Sequence, residues 1–309
     1  MRTLLLAAIV AAAGCGGHSS SMGPPGFDPP APNADELQIM SPLITGITPG
    51  TDETLCSYVD VPIPMEIDVI GSRGQQSLGG HHAMVYIAHA THAAETHVCN
   101  ENDMLSVRFV AGIGAEGATS LSVLPDGVSF RVPAGAQLMM QTHWINATNQ
   151  TLEGQAAINL HVVPPSSDRV PADLFSVVNT QFSIPAGQSG TASTTCPVGQ
   201  SLSMFYLGGH EHAAGTHFKA EQTTAAGATS TLYEHDWQPE YEFNPPVNSY
   251  PKASPLVVNG GDQIKVTCTW DNTSGVKPLT FPTDMCVAFG FYFPGHGEID
   301  CIDGYWPTK

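Results

Sequence analysis

Short apolar runs of strand length, separated by turn residues, fill the chain from residue 54 onward. The sequence contains 31 glycines and 25 prolines, and only 12% of its residues are charged. This composition and spacing favour short strands joined by turns over helices. The runs occupy residues 57–61, 84–88, 105–110, 128–132, 136–145 and 156–163, and then 175–182, 201–207, 230–233, 263–270 and 286–293. We therefore expect an all-β fold built from antiparallel sandwiches.

A segment rich in proline and serine, at residues 164–171, separates the two groups of runs. Such a composition is typical of a linker. The sequence therefore predicts two tandem β-domains, at residues 39–165 and 166–309, and each is long enough to bury its own core.

The N-terminal residues show the pattern of a bacterial lipoprotein signal: Arg2, an apolar stretch, and small residues up to Cys15. The apolar stretch is too short to span a membrane as a helix. We expect residues 1–14 to be removed and Cys15 to be lipidated. Residues 15–38 would then form a flexible tether that anchors an exported protein to the cell envelope, in the periplasm or at the outer membrane.

Charge and cysteine content narrow the function classes. The formal net charge is −18 at pH 7, which excludes nucleic acid and anionic membrane surfaces as partners. Seven cysteines less the lipidated Cys15 leave an even number, as expected for disulfides in an oxidising compartment. The count alone leaves every pairing open.

Two histidines separated by one residue, His210 and His212, follow one of the apolar runs. Residues i and i+2 of a strand share a face, so both imidazoles are predicted to reach one metal ion while Glu211 points away. Further on, Met285 opens an aromatic run. A thioether suits copper, above all Cu(I), and contributes little to zinc. This set predicts a redox copper site; the alternative is chance spacing among 13 histidines, with Met285 in the core.

A second histidine group lies in the first half of the chain. Gly79 and Gly80 precede His81 and His82, and His143 lies in the run at 136–145. Adjacent residues of a regular strand face opposite ways, so the histidine pair can share one metal only if the backbone twists or bulges. The two glycines permit such a bulge.

Several short motifs follow one another in a distinctive order. They are Thr54-Leu55-Cys56, His81-His82-x-Met84, Gln141-x-His143, His210-x-His212, Asp236-Trp237-Gln238-Pro239, Val266-Thr267-Cys268-Thr269 and Met285-Cys286. The ordered set spans most of the chain and resembles the type II copper, ascorbate-dependent monooxygenases, which include peptidylglycine α-hydroxylating monooxygenase and dopamine β-monooxygenase. The resemblance implies two tandem antiparallel jelly-roll β-sandwich domains, in agreement with the strand pattern.

The resemblance also implies two coppers per chain, with defined ligands. An electron-storing copper would be held by His81, His82 and His143, and the copper at which O2 binds and substrate is hydroxylated by His210, His212 and Met285. The implied disulfides are Cys56–Cys99, Cys196–Cys301 and Cys268–Cys286. The implied reaction inserts one oxygen atom into a C–H bond of a small molecule, with ascorbate or another one-electron reductant as co-substrate. Gln141 would reach the interdomain cleft or be an ordinary half-exposed glutamine.

The sequence departs from the peptide-hydroxylating relatives where those proteins hold the substrate carboxylate. A basic residue, a tyrosine and an asparagine are replaced here by Gly208, Phe289 and Val287, and no arginine follows Arg169. None of the three replacements can bind a carboxylate through its side chain. We therefore expect a neutral, apolar or aromatic substrate, or a cationic amine.

Two other functions are consistent with parts of the sequence. A copper-binding or storage lipoprotein would keep the ligands without the chemistry. Hydrolytic zinc is disfavoured by Met285 and by the lack of an obvious base beside an open site. The sequence leaves the oligomeric state open.

Overall fold

The computed structural model describes residues 23–100, 103–104, 106–114, 117–242 and 245–307, except for the side chains of residues 118–123. The predicted signal peptide at 1–14 and the lipidated Cys15 lie outside the described residues. Within these ranges β-strands dominate, and a single turn of 3-10 helix spans Pro239–Glu242. No helix in the described part of the chain is long and apolar enough to cross a bilayer. The predicted all-β class is confirmed.

The first half of the chain folds into a sandwich of two main sheets. Its strands are β1 Glu36–Met40, β2 Ile44–Ile47, β3 Asp52–Val59, β4 Ile67–Gln76, β5 Gly80–Ala88, β6 Thr96–Val98, β7 Val107–Gly114, β8 Gly117–Val123, β9 Val128–Val132, β10 Leu138–Ile145, β11 Leu152–Gly154, β12 Ala156–Val163 and β13 Val170–Pro171. One sheet has the order β1-β12-β4-β9-β13, with β8 also pairing with β4. The facing sheet has the order β6-β3-β10-β5-β7, and β2 and β11 form a separate ribbon.

Strand β10 shows how the sequence divides its residues between the faces of a sheet. Leu138 and Met140 are fully buried in the core between the two sheets. Met139 points the other way, into a smaller cluster with Tyr58 and Tyr86. Because side chains alternate along a strand, His143 lies on the same outer face as Met139. The alternation that sends Leu138 and Met140 into the main core therefore also places His143 outside it.

The second half forms another two-sheet sandwich. Its strands are β14 Asp173–Val178, β15 Ser183–Ile184, β16 Gln188–Pro197, β17 Leu202–His210, β18 Gly215–Thr223, β19 Thr229–Asp236, β20 Val247–Ser249, β21 Leu256–Val258, β22 Gln263–Asn272, β23 Leu279–Thr280, β24 Val287–Phe293 and β25 Ile299–Ile302. One sheet has the order β20-β17-β24-β14-β25, with β21 also pairing with β17, and the facing sheet has the order β16-β22-β18-β19. Strands β15 and β23 pair separately. The fold is two tandem jelly-roll β-sandwiches.

Aromatic side chains pack the two sandwiches against each other. Phe291 of β24 stacks on Phe109 of β7, with ring centroids 5.0 Å apart and an interplanar angle of 22°. It also meets Phe130 of β9 edge-on at 5.1 Å. Phe205 of β17, 3% exposed, belongs to the core of the first sandwich although it lies on a strand of the second. Burying these rings stabilises the contact between the domains.

The range predicted for the tether, residues 15–38, overlaps the first strand. We predicted a flexible segment through residue 38, but β1 already begins at Glu36. The guanidinium of Arg73 on β4 binds the Glu36 carboxylate at 2.7 Å and donates to the carbonyl of Ala31 at 3.0 Å. These contacts fix the residues just before β1 against the first sandwich, because a bidentate guanidinium orients both of its partners.

The predicted linker at 164–171 also belongs to the first sandwich, so the predicted boundary between residues 165 and 166 is wrong. Strand β13 pairs in parallel with β9, and Ala172 is fully buried in the first core. Asp68, fully buried, accepts hydrogen bonds from Arg131 at 2.8 Å and from Arg169 in the segment at 3.0 Å. Burial favours the neutral acid, but these hydrogen bonds outweigh it and lower the pKa of Asp68. The first sandwich therefore extends to residue 172.

The three predicted disulfides are present: Cys56–Cys99, Cys196–Cys301 and Cys268–Cys286. The first ties β3 to the segment after β6, and the other two lie within the second sandwich. Three disulfides indicate an exported protein, because cytosolic thiols are kept reduced.

Candidate functional site

The first histidine cluster is built on a β-bulge. Across β5 and β10, His82 pairs with His143, whereas the next residue, Trp144, pairs with Gly80. His81 is therefore the extra residue of the bulge, as the sequence predicted. Gly79 has φ +81°, which favours glycine, and a Cβ on Gly80 would lie 2.4 Å from the Cβ of Gln76. The two glycines permit the turn that places adjacent histidines on one side.

The Nδ1 atoms of His82 and His143 both lie close to that of His81, and ligand atoms of all three residues lie within 4.8 Å of one another. The Nδ1 atom of His81 lies 3.0 Å from that of His82 and 2.9 Å from that of His143. A metal bound to imidazole nitrogens at about 2.0–2.1 Å would subtend an angle of about 90° between atoms this far apart. Ring nitrogens at this separation repel unless a proton or a cation lies between them. The arrangement therefore fits a metal ion held by three histidines.

Asp52 at the start of β3 orients one of these rings. Its Oδ1 lies 2.7 Å from the Nε2 atom of His143. A carboxylate accepts hydrogen bonds, so Nε2 carries the hydrogen and Nδ1 presents its lone pair to the cluster. Carboxylates that fix the tautomer of a ligand histidine are a recurring part of metal sites.

The second histidine pair lies at the end of β17, and here one prediction is wrong. We placed both residues on one strand, but β17 ends at His210, and His212 lies in the loop before β18. The loop nevertheless brings the two imidazoles together, with ring centroids 5.2 Å apart. Gly209 lets β17 approach the facing sheet, since a Cβ there would lie 2.5 Å from the Phe218 ring. The pair is therefore placed by a strand end and a turn rather than by strand alternation.

Backbone pairing brings the segment that carries Met285 next to this pair. Val287 of β24 pairs with His210, and Met285 lies two residues before Val287. The Nδ1 atom of His212 lies 3.1 Å from the carbonyl oxygen of Thr283, so Nδ1 carries the hydrogen and Nε2 is left to bind a metal. The three residues of the predicted set thus come from neighbouring segments of the second sandwich.

Three of the histidines, His81, His82 and His210, have lowered pKa values, which favour the neutral imidazole that binds metals. Burial, followed by the charge of His143, lowers the pKa of His81 to about 4. Burial and the charges of neighbouring histidines lower the pKa of His82 well below its ordinary value and that of His210 to about 3. The neighbours include histidines across the domain boundary: His212 lowers the pKa of His81. The two clusters therefore lie within electrostatic reach of each other.

Glu211, between the two histidines of the second pair, was not predicted to matter. It is fully buried, and its side chain packs on Gly215, where a Cβ would lie 2.8 Å from the Glu211 Cβ. Burial, and next the charge of Asp284, raises the pKa of Glu211 to about 10. Glu211 is a neutral acid at neutral pH. The only feature of the sequence that could have drawn attention to Glu211 was the position of an acidic residue between two candidate ligands.

Gln141, on β10 next to the first cluster, is not the half-exposed glutamine of one of our two interpretations. It is 9% exposed and its Nε2 atom lies 3.1 Å from the sulfur of Met104. A hydrogen bond that Gln141 accepts from His82 also opposes the lowering of the pKa of His82. Gln141 thus packs beside the ligands rather than standing half-exposed.

Comparisons with known proteins show similarity in architecture alone. No family model matches the chain, and neither does any curated protein. Among solved structures, the chain is 10% identical to PNGase F, a glycosylasparaginase from Flavobacterium meningosepticum, covering 83% of this chain and 95% of that one with a TM-score of 0.37. The major capsid protein P2 of bacteriophage PM2 is 7% identical, with 84% and 100% covered and a TM-score of 0.34.

An archaeal virus protein with a triple jelly roll fold is 8% identical, with a TM-score of 0.25. The match covers 84% of this chain, which spans only 60% of the viral one. At these identities and TM-scores the similarities carry no argument about function.

Proposed function

We propose that the protein is a copper-dependent monooxygenase that hydroxylates a C–H bond of a small molecule. The observation that carries the proposal is the convergence of three histidine Nδ1 atoms at His81, within electrostatic reach of a second histidine pair. The two candidate donor sets differ. One contains only imidazole, whereas the other adds the soft thioether of Met285, which favours Cu(I).

Each domain would hold one copper. His81, His82 and His143 would bind the copper that stores an electron, and His210, His212 and Met285 would bind the one that meets O2. When bound, the metals supply the redox chemistry that places one oxygen atom in the substrate and releases the other as water. Ascorbate or a similar one-electron reductant would provide the two electrons.

The chain's own residues orient the ligands and fix their tautomers. Asp52 holds the hydrogen of His143 on Nε2, and the carbonyl of Thr283 holds that of His212 on Nδ1. The two sites therefore present different nitrogens, Nδ1 in the first and Nε2 of His212 in the second. Fixing the tautomer in advance lowers the cost of binding a metal ion.

The surface beside His210 favours a substrate without a carboxylate. Phe289 lies across Gly208, where a Cβ would be 2.9 Å from the ring Cζ atom and 3.1 Å from Cγ1 of Val247. No basic side chain fits at Gly208 while the ring stays there. We therefore infer a neutral, apolar or aromatic substrate, or a cationic amine, which the net charge of −18 also favours.

We also propose that export ends with lipid attachment at Cys15, which would anchor the enzyme to the bacterial cell envelope. Mass spectrometry of the N-terminal peptide from a bacterial host tests this directly. A diacylglycerol-modified Cys15 supports the anchor, and a free or internal cysteine refutes it.

The decisive experiment measures oxygen transfer from isotope-labelled dioxygen. The copper-loaded protein is incubated with ascorbate and a panel that pairs aryl-alkyl compounds and amines with peptides ending in glycine. We expect one labelled oxygen atom in an aryl-alkyl or amine product and none with His210→Ala. Preferential hydroxylation of the peptides would refute the substrate class. Copper uptake without oxygen transfer to any compound would instead support a copper-binding or storage lipoprotein.

A further inference from the structure

One carboxyl oxygen joins the two segments that carry the candidate ligands of the second site. The side chain of Asp284 is buried, with 1% exposed. Its Oδ1 atom accepts hydrogen bonds from the backbone N–H of Met285 at 2.7 Å and of His212 at 3.1 Å. The indole N–H of Trp270 donates to the same oxygen at 2.9 Å. Three donors therefore share one acceptor.

These donors belong to three different elements. His212 lies in the loop after β17, Trp270 on β22, and Met285 in the segment before β24. Trp270 is fully buried, and β22 is paired on both sides, with β16 and β18, so its indole is the fixed member of the group. Asp284 thus sets the positions of His212 and Met285 relative to a rigid strand.

A weak ligand depends on such positioning more than a strong one. A thioether adds little binding free energy, so the protein must hold it in place before the metal arrives. The Cys268–Cys286 disulfide fixes the residue after Met285, and Asp284 holds the backbone N–H of Met285 itself.

We propose that Asp284 is the positioning residue that aligns His212 and Met285 as ligands of the second copper. The inference rests on the proposed function, because it assigns Asp284 a role toward that metal. A purely structural role would instead change stability without changing the ligands that the metal receives. The test therefore needs one measurement without metal and one that detects the sulfur ligand.

The variants are Asp284→Ala, Asp284→Asn and a matched control, Asp271→Asn. Asp271 is on the same strand as Trp270, and its carboxylate accepts hydrogen bonds from Ser189 and Thr273 away from the ligands. Hydrogen–deuterium exchange of the metal-free proteins reports the backbone N–H groups of His212 and Met285. X-ray absorption of the Cu(I)-loaded proteins reports sulfur bound to copper, and competition titration gives the affinity of each site.

In Asp284→Ala we expect the N–H groups of His212 and Met285 to exchange about tenfold faster. Cu(I) at the second site should bind about 10- to 100-fold more weakly, as with other outer-shell partners. The sulfur signal should disappear while the first site stays unchanged. Asp284→Asn keeps an acceptor oxygen, so it should retain the sulfur signal with a smaller loss of affinity. The control should match the wild type.

Unchanged exchange and an unchanged sulfur signal in Asp284→Ala would overturn the inference. If Asp284→Ala does not fold, the copper affinity of the second site in Asp284→Asn tests the inference instead. A second-site affinity equal to the wild type overturns the inference, whereas weaker binding at that site alone supports it. If the wild type itself binds no copper at the second site, the proposed function fails. The metal-free exchange then still tests whether Asp284 holds the two segments.

Discussion

Replacing Phe291 by alanine should uncouple the two sandwiches while leaving each of them folded. Phe291 contacts Phe109 at 5.0 Å and Phe130 at 5.1 Å in the first sandwich, and Tyr206 at 5.2 Å in its own. A fully buried Phe→Ala change costs about 3–5 kcal/mol, and because Phe291 is only partly buried we expect about 2–3 kcal/mol. This loss corresponds to roughly 25- to 140-fold in the equilibrium between docked and separated domains.

Calorimetry and small-angle scattering measure this change directly. We expect a broader or split unfolding transition and a larger radius of gyration for Phe291→Ala, with two coppers still bound per chain. Oxygen insertion should fall because electrons must pass between sites held by different domains. The matched control is Phe182→Ala, since Phe182 stacks on Trp270 at 4.5 Å entirely within the second sandwich. It should destabilise that domain without extending the molecule.

Two outcomes would refute this reasoning. An unfolding transition and a scattering profile identical to those of the wild type would show that the aromatic contact does not hold the domains together. Loss of copper from both sites would show that the domains do not fold independently of their interface.

The remaining predictions concern the ligands and the buried carboxylate of the first sandwich. His143→Ala should remove one copper and His210→Ala the other, independently; a titration that shows one shared site, or tighter zinc than Cu(I) at both, contradicts this. Met285→Ile should lower copper affinity modestly and nearly abolish hydroxylation, and equal turnover would show that Met285 only packs the core. Asp68→Asn should cost about 3 kcal/mol at neutral pH because it leaves two arginines without their buried partner. The folded-state pKa of Asp68 is lowered, so its contribution is present above the unfolded pKa of about 3.9 and is lost as pH falls through the folded value. Denaturant midpoints of wild type and variant should converge as the pH falls below the unfolded pKa of about 3.9, and a constant difference would refute this role.

The sequence predicted several strands that carry an apolar face, missed others such as β18, where Phe218 and Ala220 are buried, and missed strands that carry no apolar face. Strand β22 alternates buried and exposed residues along its length and was expected. Its neighbour β16, Gln188–Pro197, is almost wholly polar and was missed, because only the penultimate residue, Cys196, is buried. An edge strand of this kind is held by backbone pairing to β22, which leaves no hydrophobic signal in the sequence.

In the candidate site, features that depend on neighbouring residues could be predicted from the sequence, whereas contacts between distant residues could not. The bulge at His81 could be predicted because two glycines and two histidines are adjacent, and local backbone freedom is a property of the residues themselves. The contact between Asp52 and His143 joins residues 91 positions apart, and that between Asp284 and His212 joins residues 72 apart. No spacing rule links such pairs, because chain folding alone brings them together. Residue types therefore indicate the candidate metal ligands. The groups that orient those candidates can be identified only in the folded structure, where they determine which nitrogen a histidine presents.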